Sequence, residues 1–243
     1  MGGRSLANHA RQIHSLIIMK RITVVLAEDH AIVRVGFRAL LKHEPDIEVV
    51  GEAVTGRQAV QLTRKLRPAV VVMDIAMPLL NGLEATRQIR REFPDTRVLI
   101  LSAHSDDAYV EQAIALGAAG FCLKETSSDK LAMAIREVQK GNTFFSHSVS
   151  KRLDRRYQGS LDREGQFKKK TNRLSSREVE VLQLVAEGKP NKQVATELGV
   201  SFKTVDKHRQ HLMSKLDIHD VAGLTRYAIA EGIIESTVRV TIS

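Results

Sequence analysis

A chain of 243 residues with 43 % hydrophobic side chains is long enough for two small domains, each with a core of its own. Its single cysteine, Cys122, offers no intrachain disulfide and no thiolate metal site, which points to a reducing cytoplasm. No apolar stretch reaches the roughly 18 residues that a spanning helix needs, and the formal net charge of +9 is unevenly spread.

Residues 1–19 carry +2, residues 20–147 carry 17 basic against 16 acidic side chains, and residues 148–243 carry 18 against 12. A near-neutral first half and a basic second half predict that the second half meets a polyanion such as DNA. Solubility is the plainer reading of the same charge.

Residues 1–19, with the short apolar run 13–19, read as an extension outside the fold, disordered or non-native, and Met19-Lys20 reads as a natural start. The first strand is Ile22–Ala27, closed by Glu28-Asp29. A helix at 31–43 follows, with Ile32, Val33, Phe37, Leu40 and Leu41 at helical spacing and Pro45 beyond it. A strand at 47–54, a helix at Gly56–Leu66 and a strand at 70–73 ending in Asp74 come next. Then come a helix at 82–91, a strand at 98–101 ending in Ser102, a helix at 107–116, a strand at 121–123 ending in Lys124, and a helix at 127–140.

Short β-branched runs alternating with amphipathic stretches predict an α/β domain of five parallel strands, buried on both faces, with helices as right-handed crossovers. The flavodoxin-like order 2-1-3-4-5 sets strands one and three side by side where strand order reverses. Ligands bind beyond the carboxyl ends of strands at such a point. Glu28, Asp29, Asp74, Ser102 and Lys124 then converge on one crevice. Clustered carboxylates repel unless a positive charge sits among them, so the arrangement predicts a hard divalent cation with oxygen ligands, Mg²⁺.

This first domain is expected over residues 20–141. A short basic helix at 146–157 and a flexible stretch at 158–173, with Gly159, Gly165 and Lys168 to Lys170, make 142–172 a connecting segment. Beyond it strand signals vanish. Helices at 176–187, 192–198, Phe202–Leu216 and 221–231 make up a small all-α domain at 173–236, and 237–243 is a tail. Gly199-Val200-Ser201 joins the second and third of these helices tightly, with Ser201 placed to cap the longer one: a helix-turn-helix pattern.

The acid pair Glu28-Asp29, Asp74 within Asp74-Ile75-Ala76-Met77-Pro78, Ser102, and Lys124 behind Phe121 stand at successive strand ends. With them, residues 20–140 resemble the receiver domain of two-component response regulators. Leu174-Ser175-Ser176-Arg177-Glu178-Val179-Glu180-Val181-Leu182, Gly188, Asn191-Lys192, Thr204-Val205, His208 and Lys215-Leu216 make residues 174–234 resemble the LuxR-type domain of the NarL/FixJ subgroup.

The first resemblance implies that Asp74 accepts a phosphoryl group from the phosphohistidine of a sensor histidine kinase. Glu28, Asp29, one oxygen of Asp74 and the backbone carbonyl of Ala76 would hold Mg²⁺. Lys124 would pair with the phosphoryl oxygens, and the Ser102 hydroxyl would move to meet them. Ser102 coupled to Phe121 is the implied switch. Phe121 has no hydroxyl where Tyr is commoner, so such a switch works through packing alone, and a core role explains the residue equally. Taken singly, each of these residues has a plainer reading: a turn or cap for the acids and Ser102, a solvated charge for Lys124. His30 and His104 flank the crevice with solvation or capping as their default. Ala76 and His104 are candidates for setting the lifetime of the phosphorylated state.

In the second domain Val205, Leu212 and Leu216 share the core face of the long helix, and the opposite face is free to enter a major groove. Lys192, Lys203, Thr204, Lys207 and Lys215 are the expected contacts to the DNA backbone, Asn191 is a further DNA-binding candidate, and Asp206, Lys207 and Gln210 are the candidates for reading bases. Asp206 is either a specificity residue or a surface charge paired with Lys203 or Gln210. His208 and His211 read better as packing or solvated. The family usually has Ser or Thr where Pro190 stands, so a side-chain cap is missing there.

Val221, Leu224, Thr225 and Ala228 of the last helix form the dimer face by resemblance, with packing onto the recognition helix as the alternative. A homodimer formed on phosphorylation would fit an inverted-repeat operator. The whole reads as a cytoplasmic, phosphorylation-dependent DNA-binding transcriptional regulator, not an enzyme, whose partners are a kinase, duplex DNA and, further, RNA polymerase, with no membrane. Two rivals stand beside it: a constitutive DNA-binding regulator with a structural receiver, and an aspartate-nucleophile phosphatase. Ala76, where the phosphatase needs a second carboxylate, weakens the latter.

Overall fold

The computed structural model describes residues 21–103, 107–145 and 174–234. The extension 1–19, the basic helix and flexible segment at 146–173, His104 and the tail from 237 lie outside the described residues.

Residues 21–145 form an α/β domain with β1 (Ile22–Ala27), α1 (Ala31–Lys42), β2 (Ile47–Ala53), α2 (Gly56–Leu66), β3 (Val70–Asp74), α3 (Gly82–Glu92), β4 (Arg97–Ser102), α4 (Asp107–Ala115), β5 (Gly120–Leu123), α5 (Ser128–Gln139) and β6 (Phe144–Phe145). The sheet is parallel and runs β2-β1-β3-β4-β5-β6. The expected 2-1-3-4-5 order is present, and a sixth strand of two residues is added at the edge, where Phe144 and Phe145 pair with Gly120 and Phe121. Two residues are too few to show a period, so the segment reads as connecting chain in the sequence.

Alternation along the strands sends side chains into two cores. Val25, Ala27, Val71, Met73, Ile100 and Phe121 pack against α2, α3 and α4, while Val24, Leu26, Val72, Leu99, Leu101 and Cys122 pack against α1 and α5 through Phe37, Leu41, Leu131 and Ile135. Each such large side chain, withdrawn from water, stabilises the domain by about 1.5–3 kcal/mol. Burial pushes the Cys122 thiol up to about 12, so this cysteine is inert packing.

The second domain consists of α6 (Ser176–Ala186), α7 (Asn191–Leu198), α8 (Phe202–Leu216) and α9 (Val221–Ala230) around Val181, Leu182, Leu184, Val185, Val194, Val205, Leu212 and Leu224. Its start is well specified. Ser175 and Glu178 form a reciprocal capping box on α6. Gly199 adopts φ +63 between α7 and α8, and the Ser201 side chain accepts from the Thr204 amide to begin α8. Pro190 occupies the cap position of α7 without a side-chain bond, and its fixed φ of −69 suits the entry. Among the described residues no helix is long and apolar enough to cross a membrane.

Candidate functional site

The register Ala27↔Met73 sets the ends of β1 and β3 side by side, so the residues after them, Glu28 and Asp74, face each other across one crevice. Both are nearly inaccessible, at 1 % and 3 % exposure. The loop from Ile75 to Asn81 is drawn tight over the end of β3: the Gly82 amide donates to the Ile75 carbonyl, and the Gly56 amide donates to the Leu80 carbonyl. A Cβ on Gly82 would overlap the Asp74 carbonyl oxygen, so only glycine permits α3 to start this close to the acid.

Glu28, Asp29, His30 and Asp74 each bring a ligand atom to within 4.8 Å of the others. Lys124 Nζ lies 2.7 Å from Glu28 Oε2 and 3.0 Å from Asp74 Oδ2. One Asp74 oxygen, Oδ1, accepts from the Ile75 amide at 2.9 Å. By contrast Glu28 Oε2, Asp29 Oδ1 and Asp74 Oδ2 are buried and accept no hydrogen bond of acceptable geometry. Burial and the neighbouring Glu28 charge push Asp74 up to about 6, against the pull of Lys124. Lys124 itself is held above its usual range: burial works against its charge, but Asp74 and Glu28 outweigh it.

Three buried carboxylate oxygens meet at one point with the Lys124 ammonium and the His30 ring beside them; one ammonium is too little charge for three acids, so the cluster is a donor set for a small hard cation. The residues present therefore fit Mg²⁺. His30, read from sequence as solvated or capping, stands closer to the chemistry than that: its Nδ1 is 2.8 Å from Asp29 Oδ1 and 3.2 Å from Glu28 Oε1, though the ring is mostly exposed. Ser102 is buried at the end of β4, and Phe121, fully buried, sits in the core on β5.

In the second domain Lys192, Lys203, Lys207 and Gln210 are exposed, while Thr204, Asp206 and Asn191 are partly so. Val205 and Leu212 are buried and Leu216 packs beside them, as the helical spacing implies. Asp206 accepts from Gln210 Nε2 at 3.1 Å, which is one of its two expected roles. Lys215 is 3.0 Å from Glu178 of the capping box, so this cation is engaged within the domain.

The proposed dimer face divides. Val221 is exposed and Thr225 partly so, but Leu224 and Ala228 are completely buried in the domain core, where α9 packs mainly on α6. Sequence spacing places all four on one side of a helix, yet it cannot say which flank of that side a neighbouring helix covers.

A polar stripe on α6 escaped the sequence reading altogether. Glu180, Gln183 and Glu187 recur at i, i+3 and i+7 and face the first domain. Gln183 donates to the Met77 carbonyl at 2.9 Å and accepts from the Asn81 amide at 2.7 Å, Glu187 accepts from the Leu79 amide at 3.1 Å, and Glu180 accepts from Gln88 at 2.9 Å. Asn81 Nδ2 also donates to the Ile233 carbonyl.

Two family models match: the response regulator receiver domain over residues 24–136 and the luxR family of bacterial regulatory proteins over residues 172–228. The chain is similar to the transcriptional regulatory protein DegU of Brevibacillus brevis, 35 % identical over 82 % of this chain and 89 % of the relative. It is also similar to the oxygen regulatory protein NreC of Staphylococcus carnosus, 37 % identical over 87 % and 99 %. Among solved structures, the RcsB response regulator of Salmonella typhimurium superposes with a TM-score of 0.53 at 29 % identity, over 87 % of this chain and 99 % of that one. A LuxR-family response regulator from Aurantimonas gives 0.54 at 33 % over 56 % and 98 %. The acid-lined receiver and the helix-turn-helix domain thus stand in one chain, and the protein belongs to the response regulators with a LuxR-type DNA-binding domain, transcription regulators and not enzymes.

Proposed function

We propose that Asp74 is a phosphoacceptor whose modification governs operator binding by the second domain. The observation that carries this reading is the cluster of three carboxylates, Glu28, Asp29 and Asp74, gathered at the strand ends with the single ammonium of Lys124 reaching into them. Such a cluster costs stability unless it is filled, and a purely structural receiver has no use for it.

An Asp74 oxygen attacks the phosphorus of a kinase phosphohistidine. The P–N bond breaks, an acyl phosphate O–P bond forms, and the imidazole leaves with a proton. Lys124 gives up part of its contact with Glu28 and pairs with a phosphoryl oxygen. Ser102, already buried at the adjoining strand end, donates its hydroxyl to another. Glu28, Asp29, Asp74 and the Ala76 carbonyl would hold Mg²⁺, which neutralises charge on the transferring group when bound. Phe121 acts through packing as Ser102 moves. Water attacking phosphorus later returns Asp74 to its free form.

Downstream, Lys192, Lys203, Thr204 and Lys207 fix the protein on the DNA backbone, with Asn191 and Lys215 at the edge of that contact, and Asp206, Lys207 and Gln210 read bases. Dimerisation uses the surface of α9 at Val221 and Thr225 and selects an inverted-repeat operator. The protein then works in the cytoplasm beside its kinase, with RNA polymerase as a further partner. Intact mass after incubation with a small acyl phosphate and Mg²⁺ tests the reading: wild type gains one phosphoryl group, and Asp74→Ala gains none. Modification of both proteins, or of neither, contradicts it.

A further inference from the structure

Phe202 is the first residue of α8 and, at 57 % exposure, the most exposed large apolar side chain among the described residues of the second domain. Its backbone is well fixed: Ser201 just before it accepts from the Thr204 amide, so the helix begins here and carries the ring on its first turn. The ring is not among the side chains that build or pack against the domain core, to which α8 contributes Val205, Leu212, Met213 and Leu216. One exposed apolar side chain needs no explanation by itself. What singles out Phe202 is the row it stands in. Phe202, Asp206 and Gln210 recur at i, i+4 and i+8, neighbours along one side of the helix, with the exposed Lys203 and Lys207 beside them. Asp206 and Gln210 are tied to each other at 3.1 Å, so the row carries a polar pair and, ahead of it, a bare aromatic ring.

The major groove offers such a ring one feature that fits it. Base edges there are polar except for the 5-methyl group of thymine, and covering that methyl with an aromatic face removes apolar surface from water on both partners. Residues at the start of a recognition helix are those that reach base edges, and Lys203 and Lys207 hold the phosphates on either side. Eight residues separate Phe202 from Gln210, about 12 Å along the helix axis, so the two side chains address different base pairs. Resting on the reading of α8 as the helix that enters the major groove, we propose that Phe202 is a specificity residue that recognises the 5-methyl group of a thymine in the operator, apart from the base that Gln210 reads.

Full-length wild type and Phe202→Ala are each used to select bound duplexes from a random-sequence pool, with acyl phosphate and Mg²⁺ present. A constitutive binder enriches sequence as well, so the outcome does not hang on Asp74. In the duplex that wild type enriches, each thymine is replaced in turn by deoxyuridine, which lacks only the methyl group. One replacement should weaken wild-type binding about fourfold, and the same replacement should leave binding by Phe202→Ala unchanged. Phe202→Leu, which keeps an apolar side chain, should keep the penalty at that thymine. Phe202→Ala should unfold in urea together with wild type, as an exposed position allows.

A penalty at the same thymine in wild type and Phe202→Ala alike, or at no thymine in wild type, would overturn the proposal while leaving α8 as the reading helix. Weaker binding of Phe202→Ala to every duplex by one factor, with the methyl penalty intact, would overturn it in favour of a contact to the sugar–phosphate backbone. Enrichment of no sequence by wild type would remove the base-reading role of α8, and that of Phe202 with it.

Discussion

The two domains carry their chemistry in opposite ways. In the receiver the acting groups are buried and mutually repelling: Glu28 and Asp74 are almost sealed from water and share the one ammonium of Lys124. In the DNA-binding domain they are exposed and lie on the surface, as Lys203, Lys207 and Gln210 do. A site that stores electrostatic strain has large and specific mutational effects, because each group is tied to its neighbours. A site built from surface cations loses affinity in small additive steps. The predictions that follow are arranged to test that contrast.

The largest effect belongs to Asp74→Asn. Loading should vanish, and in metal-free buffer the variant should be more stable than wild type. The Asp74 carboxyl is held at about 6 in the folded protein against 3.8 as its ordinary value. Between those pH values the folded state holds more protons than the unfolded one, so ionising Asp74 costs stability as pH rises through the window. At neutral pH the cost is about 3 kcal/mol. Urea unfolding at pH 4 and pH 7.5 should show the gap between variant and wild type opening as pH rises, and equal stabilities at both pH values would remove the claim of strain.

Gly82→Ala comes next. Its Cβ would overlap the Asp74 carbonyl oxygen, so α3 must shift away from the crevice. Overpacking of this kind costs about 3 kcal/mol, and the same unfolding measurement would read it. A variant as stable as wild type would mean that the loop over β3 yields easily.

On the other side of the comparison the effects shrink. Ser175→Ala removes one half of the capping box on α6 and should cost about 1 kcal/mol. Thermal unfolding of the C-terminal transition would measure it. Lys203→Ala and Lys207→Ala should leave stability within about 0.5 kcal/mol. Each should weaken duplex binding and reduce the slope of log affinity against log salt by about one. A lysine variant that unfolds the domain would place that residue inside the structure and undo the contrast.

The same contrast explains what the sequence discloses. Each β-branched run ends on a polar residue, and burial on both faces leaves few ways to arrange such runs. The crevice of Glu28, Asp29, Asp74, Ser102 and Lys124 is therefore legible before any coordinates. The pair Phe144–Phe145 is not, because two residues carry no period. Nor is the interdomain contact: Glu180, Gln183 and Glu187 look like the ordinary polar side of an amphipathic helix. What marks them is their placement opposite another domain, which only the fold supplies. A polar Gln183 flanked by Leu182 and Leu184 is the one available signal, and it becomes informative only once the residue is seen to be buried. Leu224 and Ala228 teach the same point from the apolar side. Their spacing identifies a face, and the packing of α9 on α6 decides that this part of it turns inward.

The central claim is that charge placed on Asp74 is felt by the helix that reads DNA. Footprinting of genomic fragments with full-length wild type and Asp74→Ala, each with acyl phosphate and Mg²⁺, tests it most directly. The account predicts that protection by wild type strengthens on adding donor and metal while Asp74→Ala stays at its unmodified level. Equal protection by both proteins, with and without donor, would show a regulator that binds DNA regardless of its receiver.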